Sequence, residues 1–205
     1  MLSSITPLGE RGRSSRWSVT VTAYVVASTV AGAVLGLTLG AVAAGFSAVG
    51  PGWLPGRGVL LAVAGLAAVG ALLDSGVAGL RLPTVRRQVD EDWLVRYRGW
   101  VYGAGFGAQL GVGVVTIVTS STVYLTWAVA LLSASPVVGA VLGGVFGLVR
   151  ALPVLTARRV TSWPALVSAS AALDRARPVA SRAALACVVG TVPLALAASG
   201  TGELG

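Results

Sequence analysis

Apolar residues fill five long stretches of this chain, and short polar segments carrying arginine separate them. The stretches run from about residues 18–47, 58–80, 100–132, 137–155 and 182–199. A helix that crosses a hydrocarbon core needs about 20 such residues. The pattern therefore predicts an all-α fold, a polytopic helical membrane protein with about five transmembrane helices. A basic amino-terminal tail over 1–17, placed in the cytoplasm, precedes a single transmembrane helical domain over 18–205. The third stretch is long enough to tilt strongly or to break. Residues 161–180 are too polar for a span. Pro164 can open and Pro178 close a short interfacial helix there, with an ordinary polar connection as the alternative. The first apolar run, about 30 residues, is about twice the length of a signal-peptide core, so it is read as a retained span.

Charge alternates between the connections. Arg11, Arg13 and Arg16 precede the first span. Arg81, Arg86, Arg87, Arg96 and Arg98 lie between the second and third, and Arg158, Arg159, Arg175 and Arg177 between the fourth and fifth. The other connections hold Arg57 or no arginine, and the carboxyl tail has none. Arginine marks the cytoplasmic side. The expected localisation is the cell membrane, multi-pass, with the N-terminus cytoplasmic and the C-terminus outside. Trp17, Trp53, Trp93, Trp100, Trp127 and Trp163 fall near predicted span ends, where indole prefers the headgroup region.

Composition narrows the function classes. Of 205 residues 55% are hydrophobic and 11% charged, and the mean hydropathy is +0.85. A soluble domain carries about 25% charged residues, so a soluble enzyme, a disordered tail and a nucleic-acid-binding domain are not expected. All 15 basic residues are arginine, which reads as the codon bias of a GC-rich, bacterial genome. The net charge of +8 points to the lipid bilayer as partner and not to nucleic acid. Cys187 is the one cysteine and histidine is absent. No metal site, no cofactor and no Ser-His-Asp triad is expected.

Glycine is 28 of 205 residues, about twice ordinary usage, and it recurs every fourth residue. Gly32, Gly36 and Gly40 do so in the first span, Gly103, Gly107 and Gly111 (with Gly99) in the third, and Gly139, Gly143 and Gly147 in the fourth. Positions i and i+4 share a helix face, and glycine there lets two backbones approach closely. A glycine-zipper core of the first, third and fourth helices is expected, with a sliding surface as the alternative. GAVLG (32–36) also lines up with GAQLG (107–111), and RLPTVRR (81–87) with ALPVLTARR (151–159). The first two spans thus resemble the third and fourth in the same orientation, as parallel repeats in transporters do. Chance similarity among small residues is the alternative.

Polar groups inside apolar stretches are the candidate site. Asp74 is the one acid well inside a span, and a charge there costs at least about 2.5 kcal/mol. Arg150 lies at a similar inward depth, so the two can pair; snorkelling to the surface is the alternative for Arg150. The third span adds Gln109, Thr116, Thr119, Ser120, Ser121, Thr122 and Tyr124. Their hydroxyls can satisfy carbonyls one turn back, line a polar pathway, or mark a helix break. In the loop before this span, Asp92 and Arg96 are expected to form a surface pair.

The segments GVLLAVAGLAAVGALL, RLPTVRR and GFGAQLGVGVVTIVTS resemble the transmembrane family of CcdA and the central DsbD domain, within the LysE-like superfamily. The resemblance covers roughly residues 58–155 and implies a helical-repeat architecture. The membrane cysteine pair and Cys-Pro signature that carry electrons in that family are absent, so thiol electron transfer is not implied. Two functions follow. One is a small transporter or transport-like protein with a pathway near Asp74, Gln109 and residues 116–122. The other is a non-catalytic accessory or assembly subunit of a membrane complex. No catalytic residues are expected; a homo-oligomer or a membrane protein partner is.

Overall fold

Three apolar runs fold into long helices because nothing in them interrupts the backbone ladder. A computed structural model of the chain describes residues 5–12, 16–49, 56–75, 97–113 and 121–200, which are helical with short turns and contain no strand. Helix α1 is Pro7–Gly12, α2 is Trp17–Val49 and α3 is Gly56–Ser75. Helix α4 is Gly99–Val112, α5 is Thr122–Leu132, α6 is Pro136–Ala151 and α7 is Trp163–Gly200. A 3-10 helix, Leu152–Arg159, extends α6.

Helix α2, 33 residues and about 50 Å long, is the spine. Thr20, Tyr24, Ser28, Gly32, Gly36 and Gly40 form a buried stripe along it, while Val26, Val30, Val34, Leu37 and Phe46 are exposed on its other sides. Helix α4 runs parallel to the first half of this stripe. A Cβ on Gly103, Gly107 or Gly111 would strike the carbonyl oxygen of Thr20, Tyr24 or Ser28 in turn. Helix α6 runs antiparallel along the rest. Gly147 sits on the carbonyl of Ser28, Gly143 faces Gly32, Gly139 faces Gly36, and Gly40 lies on Ser135. The helices meet backbone to backbone, with no room for a side chain between them.

Of the two alternatives open for the third apolar stretch, the structure shows a break: α4 ends at Gly113, whose φ of +76° leaves helical geometry, and α5 starts at Thr122. One element differs from the sequence expectation. Pro178 does not close a short helix. Helix α7 runs unbroken through Pro178 and Pro193 over 38 residues, joining the expected interfacial segment to the fifth apolar stretch. Each proline removes one ladder hydrogen bond, and on an exposed helix the ladder on either side carries it through.

The fourth stretch is helical to Ala151 and then tightens. Pro153 has no N–H to return to Val149, and the backbone takes up three residues per turn. Burial follows that period: Ala151, Val154, Ala157 and Val160 are buried, and the residues between them are exposed. Residues 5–12, read as part of a tail, carry α1 folded against this end. Thr6 caps it, accepting from the Gly9 N–H (3.1 Å), with Pro7 as first helical residue. Leu8 N donates to Val160 O (3.2 Å), and Ile5 enters a core with Val21, Tyr24, Tyr102, Phe106 and Val154.

Candidate functional site

Asp74, Ser121 and Arg150, three of the polar residues singled out above, lie at the ends of α4 and α5. Gly113 closes α4, its N–H donating to Gln109 O (3.2 Å). Ser121 opens α5 in helical geometry, and its own side chain does not cap the helix. Asp74, reaching across from α3, caps it instead. The Ser121 N–H donates to both carboxylate oxygens (2.8 and 3.0 Å), and Ser121 Oγ donates to Oδ2 (2.8 Å). First-turn N–H groups lack partners within their helix and carry a partial positive charge, so a carboxylate is the side chain that satisfies them best. Gly70, one turn earlier on α3, brings that helix close: a Cβ there would lie 2.7 Å from Ser121 Oγ.

Arg150 serves the opposite end. Its guanidinium lies 5.2 Å over the Phe146 ring, and a Cβ on Gly113 would meet its Nη1 at 2.7 Å. The cation therefore stands at the C-terminus of α4, the negative end of that helix. Tyr24, buried on α2, is within its electrostatic reach. Each of the two charges occupies the half-helix end that its sign favours. The sequence suggested a pair between Asp74 and Arg150; the described contacts place Asp74 at the start of α5 and Arg150 at the end of α4. Thr116 and Thr119 lie outside the described residues, as do the expected Asp92–Arg96 pair, the RLPTVRR segment, Trp53 and Trp93.

Trp127, read in the sequence as lying near a span end, is buried midway along α5, edge-on to Phe146 (centroids 5.1 Å, planes at 70°) and against Gly143. Its Nε1 has no acceptor among the described residues. Trp100 and Trp163 are exposed, and Trp17 Nε1 donates to Ile5 O (3.3 Å).

Sequence reasoning passed over a second polar cluster. Glu10 of α1 is buried; Tyr102 of α4 donates its hydroxyl to Oε1, and Thr20 of α2 donates to Oε2 (3.0 Å). Ser28 Oγ donates to Gly147 O (2.8 Å) between α2 and α6. Thr6 followed by Pro7 is a helix-start signal that could have marked α1, but residues 1–17 are read from the sequence as a tail, and no local pattern says that a carboxylate four residues on turns inward.

No family model matches the chain, and no solved structure matches it. Among curated proteins it is similar to the methylamine utilization protein MauF of Methylophilus methylotrophus, 34% identical over 160 residues, which are 75% of this chain and 53% of that protein. It is also similar to MauF of Paracoccus versutus, 37% identical over 112 residues, 51% of this chain and 39% of that protein. The chain spans about half the length, or less, of these relatives. They overturn the resemblance to CcdA and DsbD. Glycine-rich apolar spans around an arginine loop are common to helical membrane proteins of many kinds, and the pattern does not identify a family.

Proposed function

We propose that the chain is a non-catalytic accessory protein of the cell membrane that serves a methylamine-utilization system together with a protein partner. The observation that carries this reading is the 34% identity to MauF over 160 residues. Three helices, Trp17–Ala48, Arg57–Ser75 and Pro136–Arg159, are long and apolar enough to cross a bilayer and expose valine and leucine outward. With the broken α4–α5 pair and the second half of α7 they make five crossings, N-terminus inside and C-terminus outside. The break supports a scaffold. Asp74 and Arg150 hold the two half-helix ends, and the glycine faces lock α2 to α4 and α6 without side chains that could slide. The transport reading is not pursued: the relatives are named for methylamine utilization, and the acid it relied on is engaged as a cap.

The test is to purify the tagged full chain from its native membrane in mild detergent. A stoichiometric second polypeptide is expected, and recovery of the chain alone overturns the accessory reading. Disruption of the gene is expected to abolish growth on methylamine while sparing growth on other nitrogen sources; unchanged growth on methylamine removes that assignment.

A further inference from the structure

Among the described residues, helix α7 packs chiefly along its second half. Its second half lies on α3, where Val188 is buried. Its first half, from Trp163 to Asp174, is largely exposed. Between this half and the 3-10 helix opens a cleft of 510 Å³, with Thr156, Arg159 and Val160 on one side and Ala165, Ala169 and Leu173 on the other. A second hollow of 390 Å³ shares Thr156 and Arg159 and adds Leu155 and Arg158.

The chemistry of the walls is divided. On α7 the lining residues fall at helical spacing, so one small apolar face borders the cleft. Its hydroxyl does not change this, because Ser168 Oγ donates back to Ala165 O (3.0 Å). Thr156 Oγ1 likewise turns onto Pro153 O (2.7 Å). On the 3-10 helix Ala157 is buried and Arg158 and Arg159 are both exposed; Arg159 lines the cleft and Arg158 the hollow that adjoins it. Guanidinium groups match phosphate oxygens in bidentate pairs. The cleft lies at the end of the 24-residue apolar run Pro136–Arg159, next to exposed Trp163. A soluble anion would use the two arginines and leave the apolar wall wet, and a purely apolar ligand would gain nothing from the arginines. A molecule with a phosphate and an acyl chain uses both.

We propose that this cleft binds an anionic phospholipid, its phosphate between Arg158 and Arg159 and one acyl chain along the α7 wall. The proposal rests on the membrane reading above. The test is native mass spectrometry of the full chain in mild detergent, supplied with phosphatidylglycerol or phosphatidylcholine. Preferential retention of phosphatidylglycerol is expected. R158Q/R159Q, changing two exposed side chains, is expected to weaken retention about fivefold per arginine with an unchanged melting temperature. Equal retention of the two lipids, or unchanged retention by the double variant, overturns the proposal. Displacement by millimolar inorganic phosphate also overturns it and marks a soluble-anion site. Phosphatidylglycerol with a photoreactive acyl chain is expected to label residues 163–175. Crosslinking of that segment to a polypeptide overturns it in favour of a protein-docking surface. Release of the chain from alkaline-washed membranes refutes the membrane reading itself, and it is scored separately from lipid selectivity.

Discussion

One carboxylate decides how α5 begins. Asp74→Ala removes the only described cap on the Ser121 N–H, and a lost cap costs about 0.5–2 kcal/mol. The expected result is a lower melting temperature in detergent and less protein in the membrane. Asp74→Asn keeps an acceptor and loses the charge that the helix end favours, so its loss should be smaller. Near-normal accumulation of D74A refutes the capping role. The glycines give a sharper contrast. At Gly143 an added Cβ meets the carbonyl of Gly32, backbone on both sides, so Gly143→Ala is expected to destabilise by about 1–3 kcal/mol. At Gly65 nothing lies within 4 Å, and Gly65→Ala should instead stabilise the helix by about 0.5–1 kcal/mol. Thermal unfolding of the two variants side by side checks the sign.

At the scale of elements, α1 is fixed by a buried acid. Glu10→Ala leaves the Tyr102 and Thr20 hydroxyls without their described acceptor, at a cost of about 1–3 kcal/mol for the buried groups. Hydrogen exchange should rise over residues 5–12 and stay unchanged in α7; a uniform rise across the chain refutes a local latch. Long helices such as α2 and α6 were legible because an apolar run of that length has few other ways to satisfy its backbone. The every-fourth glycine spacing was visible too, though the sequence could not say which carbonyl each glycine faces. The break at Gly113 was left open, since a left-handed glycine looks like any other in a chain this rich in glycine. The partners of Asp74 and Glu10 were not legible, because both contacts are set by how helices distant in sequence pack. Pro178 misled for the opposite reason: a proline reads locally as a stop, and the structure accommodates it as one lost bond in a long helix.

For the whole molecule the reading of five crossings makes a directional prediction. Alkaline phosphatase fused after Gly205 should be active and a fluorescent protein fused there dark; the reverse pattern refutes the orientation. The helices also sort into two groups. Helix α2 gathers α4, α6 and α1 around its buried stripe, whereas α3 rests chiefly on α7 and meets the rest at the tip of α5, through Asp74 and Gly70. Synthesis runs against this arrangement. Helix α3 leaves the ribosome before α4, α5 and α6, and its main companion leaves after them. Until α7 emerges, the tip of α5 is the main described support of α3. A chain cut short before residue 163 would keep its glycine-locked spine and lose the companion of α3, so the unaccompanied helix is where a membrane quality-control protease would find its first handhold.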